Sequence, residues 1–123
     1  CYLNVPSNGG FHRYPVDCWR FYPDSGNALV SWAKRNSYNC QLLESFVSYQ
    51  QVNPWSDFVA VFIKDAVFQT HYPERMISGR NDIENAFVSS HDKIINFIGE
   101  TEDLRSISSM KKQLQQIKQI VEK

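Results

Sequence analysis

At 123 residues, with 42% hydrophobic side chains and 13 basic residues against 13 acidic ones, the chain has the make-up of one folded domain with a core. A formal net charge of zero gives no electrostatic case for nonspecific nucleic-acid binding. The longest clean apolar run, Phe58 to Ile63, is far too short to span a membrane.

Three cysteines, Cys1, Cys18 and Cys40, are too few and too scattered for a disulfide framework or a zinc site, and no Cys/His set has metal spacing. They fit a reducing, cytoplasmic compartment, where buried cysteine behaves as a small hydrophobe. The absence of an initiator methionine leads to the expectation of a piece of a longer protein.

Tyr2, Leu3 and Val5 favour a strand, which the cluster Pro6-Ser7-Asn8-Gly9-Gly10 stops. An aromatic loop then runs to Pro23. It concentrates His12, Arg13, Tyr14, Asp17, Trp19, Arg20, Phe21 and Tyr22 between a glycine pair and a proline. Its rings want burial, and its charges want water or partners. Two arrangements meet both demands. Either Asp17 and Arg20 pair merely to lock the loop while His12 caps a turn, or His12, Asp17 and Arg20 converge over a cleft. In the second, His12 serves as a general base, since its reference pKa lies close to neutral. Asp17 or Arg20 then orients it or a polar substrate. Arg13 joins the binding surface, and Tyr14, Trp19 and Tyr22 form an apolar wall.

Asp24 or Ser25 caps the helix that follows, with Ala28, Leu29, Trp32 and Ala33 at helical spacing. Lys34 and Arg35 suit the negative end of its dipole, and Asn36 or Asn39 breaks it. Cys40–Tyr49 and Phe58–Ile63 read as an antiparallel strand pair around a polar turn at 50–54, with Trp55 anchoring the turn. Six consecutive β-formers from Phe58 mark a strand buried on both faces. Residues 66–80 read as an irregular linker containing His71. Asn81-Asp82-Ile83-Glu84 resembles a capping box, and Ile83, Phe87, Ile94 and Ile98 predict a helix up to Gly99, carrying a solvated His91. Thr101 caps a last helix, in which Ile107, Met110, Leu114, Ile117 and Val121 alternate at three and four. That spacing suits either ordinary packing or the start of a coiled coil.

The run Val5-Pro6-Ser7-Asn8-Gly9-Gly10-Phe11-His12-Arg13-Tyr14-Pro15-Val16-Asp17-Cys18-Trp19-Arg20-Phe21-Tyr22-Pro23 resembles the segment after the fifth strand of class I S-adenosylmethionine-dependent methyltransferases. Those enzymes include members that modify bacterial surface polysaccharides. There a strand ending in Val-Pro is followed by a His, a Tyr-Pro pair and an Asp-x-Trp/Phe-Arg-Phe run. The resemblance covers about half the chain. It implies an α/β fold, the C-terminal part of a Rossmann-like sheet. In it, strand, loop, helix and an antiparallel strand pair occupy residues 1–65, the last strand is inserted back into the sheet, and a helical extension follows over 81–123.

The chain departs from the family in lacking its glycine-rich turn and following acidic residue, which hold the cofactor. The resemblance therefore implies the acceptor-side loop of a methyltransferase whose S-adenosylmethionine site lies mostly upstream. His12 would take the acceptor's proton, and the fragment alone would be inactive. Its first strand is expected to expose an unpaired edge. Two other functions fit the residues: a noncatalytic module that binds sugar by ring stacking, and an assembly protein working through residues 101–123 with an oligomer or a second module as partner.

Overall fold

The structure, a computed structural model, describes residues 1–9, 16–49 and 55–122. Four strands, β1 (Tyr2–Asn8), β2 (Gln41–Ser48), β3 (Ser56–Ile63) and β4 (Ile83–Val88), form one sheet in the order β1-β3-β2-β4. Every neighbouring pair is antiparallel, so β1 and β2 run parallel to each other with β3 reversed between them. The expected strand, helix and antiparallel pair are present, and of the loop expected before the helix residues 16–23 are described. The turn expected at 50–54 lies outside the described residues.

The apolar run from Phe58 forms a central strand because each of its faces has something to bury. On one face Leu42, Val47, Phe58 and Ala60 form a cluster, against which Leu3, Val5, Phe21 and Val30 pack. On the other, Phe46, Val59, Ile83 and Ala86 pack with Ile77 and Ile95. Helix α1 (Ser25–Arg35) covers the first face. Gly26 is buried there against Leu42, whose side chain comes within 3.0 Å of where a Cβ would stand. The helix ends at Asn36, whose side-chain amide donates to the Trp32 carbonyl at 2.9 Å. Trp32, one of the apolar residues at helical spacing, is exposed, and Val30 packs against the sheet.

Residues 66–80 are more ordered than an irregular linker. Ala66–His71 forms a 3-10 helix, and the His71 ring lies 5.8 Å from that of Phe68. The segment is then tied to β2 by Glu44, a buried carboxylate that accepts from the Met76 and Ile77 amides at 2.8 and 3.1 Å. Two backbone amides satisfy the charge that burial would otherwise penalise.

The helix expected over 81–98 is corrected to a strand and a return. Ile83–Val88 is β4, hydrogen-bonded to β2, so the sheet continues past residue 65. Residues 95–98 fold back along the outer side of β4: Ala86 and Ile95 exchange both backbone hydrogen bonds, at 2.9 and 2.8 Å. The Asn-x-x-Glu signature is not a cap here. Arg80 holds Asp82 through two hydrogen bonds at 2.9 and 2.6 Å, and Glu84 is buried against Arg105. Asn85 and Asn96 both take φ of 50°, the left-handed region that asparagine tolerates best among branched side chains. His91 consequently sits in the turn after β4, exposed, 3.1 Å from the Ser90 hydroxyl.

Helix α2 (Glu102–Val121) begins at Thr101, whose hydroxyl accepts from the Leu104 amide at 3.3 Å, as its capping position predicts. Cys1, Cys18 and Cys40 are unpaired thiols, and none is buried, contrary to their reading as core hydrophobes. Among the described residues, no helix is long and apolar enough to cross a membrane.

Candidate functional site

The carboxyl end of β1 carries the site. Here the strand gives way to Gly9, whose φ of +142° any side chain would resist, and whose missing Cβ leaves room for the Trp55 ring. The chain returns at Val16. Its anchor is Phe21, whose ring stacks on the fully buried Phe58, centroids 6.3 Å apart, and whose amide donates to the Pro6 carbonyl at 3.1 Å. That hydrogen bond falls on the outer edge of β1. With Cys1 and Phe62 exchanging both ladder bonds at 2.8 Å, residues 2, 4 and 6 turn their backbone groups away from β3. Pro6 has no N–H to leave unsatisfied in that position, the usual reason for proline on an edge strand.

Between these anchors Asp17 and Arg20 form a two-point ion pair. One guanidinium nitrogen, Nη2, donates to Asp17 Oδ2 at 2.8 Å, and Nη1 donates to Oδ1 and to the Trp19 carbonyl. The Asp17 side chain is 9% exposed and that of Arg20 is 24% exposed. The hydrogen bond to Asp17 holds the Arg20 pKa above its ordinary value, against partial desolvation, and the charge of Asp103 adds to the shift. Arg20 is therefore a fixed cation. Its guanidinium also lies 5.9 Å from the centre of the Trp55 ring, a cation–π distance.

These groups line an open groove of about 610 Å³, bounded by Val5, Pro6, Asp17, Trp19, Arg20 and Trp55. Its chemistry is two carboxylates, the largely enclosed Asp17 and, at the groove's rim, Asp57, with a positioned cation and two indole rings. Such a set suits a polar, hydroxyl-bearing ligand that can both hydrogen-bond and stack.

The structure brings Asp17, Trp19 and Arg20 together, as the sequence predicts. His12, Arg13 and Tyr14 lie outside the described residues. Tyr22 does not join Trp19 in one wall. It faces a second cavity of about 280 Å³ with Asp24, Glu84, Phe87 and Phe97, because the Phe21 anchor turns its neighbour to the other side. Nor is the wall packed inward: Trp19 is 74% exposed. Two contributors escaped the sequence reading. Trp55, read as a turn anchor, reaches the groove across the β1–β3 pairing, and Phe21 had no assigned role although it fixes the loop. Their signal was present only as an aromatic next to a breaker and an aromatic facing a strand.

The chain was compared with protein-family models, with curated proteins and with solved structures, and it matches none of them.

Proposed function

We propose that this chain supplies the acceptor-side loop of an S-adenosylmethionine-dependent methyltransferase that acts on a small-molecule or saccharide acceptor. The observation that carries the reading is the arrangement around β3. A strand, the Asp17–Arg20 loop, a helix and a second parallel strand are closed by an antiparallel strand inserted between the two. That is the order expected from the resemblance at Val5–Pro23, and the loop leaves from a strand's carboxyl end, where open α/β sheets bind ligands. Fold alone does not assign chemistry. The residue-level support is the ion pair and the stacking surface.

The residues present do not fit the cofactor itself. Both Asp17 oxygens engage Arg20, so they are not a ribose-holding pair. The glycine beside the groove, Gly9, accommodates Trp55 and offers no cradle for a ligand. On this reading the cofactor's residues belong to upstream sequence. The part played by this chain is positioning: Arg20 presents hydrogen-bond donors and charge, Trp19 offers a stacking face, and Asp17 fixes the Arg20 fork. His12 is the proposed acceptor of the acceptor's proton.

The test uses the full-length protein and labelled S-adenosylmethionine. His12→Ala is expected to lower turnover about a hundredfold or more while leaving cofactor affinity within a few-fold. Equal losses in both would make His12 structural, and absence of transfer to any small-molecule or saccharide acceptor would end the reading. A noncatalytic sugar-binding module is the second reading, favoured by the open Trp19 ring. It requires saccharide binding that Trp19→Ala abolishes, with no methyl transfer by the full-length protein.

A further inference from the structure

The groove at the carboxyl end of β1 carries one charged group that no described residue pairs. Asp17 and Arg20 neutralise each other: both Asp17 oxygens accept from the guanidinium, and Nη1 also donates to the Trp19 carbonyl at 3.1 Å. Asp57, opposite Pro6 on β3, differs. Its backbone N–H and carbonyl both meet the Ser48 hydroxyl at 3.4 Å, while its carboxylate receives no hydrogen bond and joins no ion pair among the described residues. Burial alternates along this entry to β3. Ser56 and Phe58 are buried, and Trp55 and Asp57 are partly open, so the latter two share the side that lines the groove.

The charges here do not balance. Among the described lining residues Arg20 is the one cation. It faces Asp17, Asp57 and, from the first turn of α2, Asp103, whose charge acts on it. An anionic acceptor such as a uronate or a phosphate ester would meet a guanidinium already engaged by Asp17, with further acids close by. A neutral polyol could stack on Trp19 but would offer Asp57 only hydroxyl donors. A protonated amine offers charge as well as donors, and the indoles favour the same species. Trp55 already has the Arg20 guanidinium 5.9 Å from its ring centre, and Trp19, on the same groove, is 74% exposed.

We propose, resting on the reading of this chain as the acceptor side of a methyltransferase, that the groove selects acceptors carrying a protonated amine, which Asp57 receives alongside the indoles of Trp19 and Trp55. The amine is the handle by which the acceptor is placed and not the atom methylated, since a protonated nitrogen has no lone pair to offer.

The experiment measures binding to the full-length protein by calorimetry at about pH 6, where carboxylates are ionised and the probes' amines carry protons. The probes are a glucosamine trisaccharide, its N-acetylated counterpart, a galacturonate trisaccharide and cyclohexylamine. The glucosamine form is expected to bind at least about tenfold more tightly than the acetylated form, and the galacturonate form most weakly. Asp57→Asn should bring the first two affinities together. Asp57→Glu, which keeps the charge, should retain most of the difference, and added salt should shrink it in the unaltered protein. Cyclohexylamine identifies the source. Binding as tight as the glucosamine trisaccharide's assigns the groove to a small amine, and weaker binding that still needs Asp57 assigns it to an amino sugar. Equal binding of the glucosamine and acetylated forms overturns the proposal, as does a preference that survives Asp57→Asn. Methyl transfer to the same probes is scored separately. Transfer that shows no preference for the amine overturns the proposal and leaves the methyltransferase reading standing. An Asp57-dependent preference without transfer to any acceptor ends that reading and keeps the amine selectivity.

Discussion

The two edges of the sheet are finished in different ways. At β4 the chain folds back on itself: residues 95–98 meet the strand through the Ala86–Ile95 exchange, the Asn85 amide to the Asn96 carbonyl at 3.0 Å, and the Ile98 amide to Asn85 Oδ1 at 2.8 Å. At β1 the covering is partial. Phe21 satisfies the Pro6 carbonyl, and the outward backbone groups of Tyr2 and Asn4 meet no other described segment. An exposed row of that kind is a template for another strand. The difference separates an edge that ends the sheet from one at which it can be extended. The extendable edge is the one whose carboxyl end bears the groove, as expected if further strands of a larger α/β sheet lie beyond β1.

The largest effect expected in breaking this comparison is at the closed edge. Glu84 is 2% exposed, and its charge is met by Arg105, which is itself one-third exposed. Arg105→Ala leaves that carboxylate buried without a cationic partner. Fully buried pairs broken in this way lose about 3–5 kcal/mol, and the partial exposure of Arg105 lowers the expectation to about 2–3 kcal/mol. Urea unfolding measures it. Adding Glu84→Gln should recover part of the loss, because the pair then lacks its uncompensated charge. No recovery would mean that Arg105 acts through packing alone.

A smaller effect distinguishes the edges directly. Amide exchange at Tyr2 and Asn4 should be at least about tenfold faster than at Asn85 and Ala86, corresponding to about 1.4 kcal/mol of local opening. Equal protection would show that β1 is covered.

The same contrast explains what was legible in the sequence. Phe58–Ile63 could be read because six β-formers in a row have few places to go except the middle of a sheet. Asp17 and Arg20 could be read because their spacing of three lets one loop turn pair them. Residues 83–98 could not. Ile83, Phe87, Ile94 and Ile98 satisfy a helical period, and Asn81 and Glu84 mimic its cap, yet β2 is buried on both faces and its open side needs a ladder partner. Tertiary hydrogen bonding therefore decided the state of a segment whose local pattern pointed elsewhere. Trp55 was illegible as a site residue for a related reason. It lies thirty-odd positions from Arg20, and only the β1–β3 pairing, which sets Pro6 opposite Asp57, brings it to the groove.

The smallest effect concerns the approach to β4. Asp82 lies immediately before the strand; its carbonyl accepts from the Tyr49 amide at 2.8 Å, and its carboxylate receives the Arg80 guanidinium. That hydrogen bond holds the Asp82 pKa below its ordinary value, despite an opposing desolvation contribution. A depressed carboxylate contributes stability that is present above its unfolded-state pKa and is lost as pH falls through the lowered folded-state value. The pair is at the surface, so solvent screening limits it to a few tenths of a kcal/mol. Asp82→Asn should therefore lower stability by about 0.5 kcal/mol or less at neutral pH and reduce the acid dependence below about pH 4, with added salt shrinking the difference. Urea midpoints at pH 7 and pH 3, with and without 0.5 M salt (roughly a 4 Å screening length), give the comparison. If the variant instead lost several kcal/mol, the start of β4 would depend on the Asp82 side chain itself, and the closed edge would be held by its entry rather than by the return at residues 95–98.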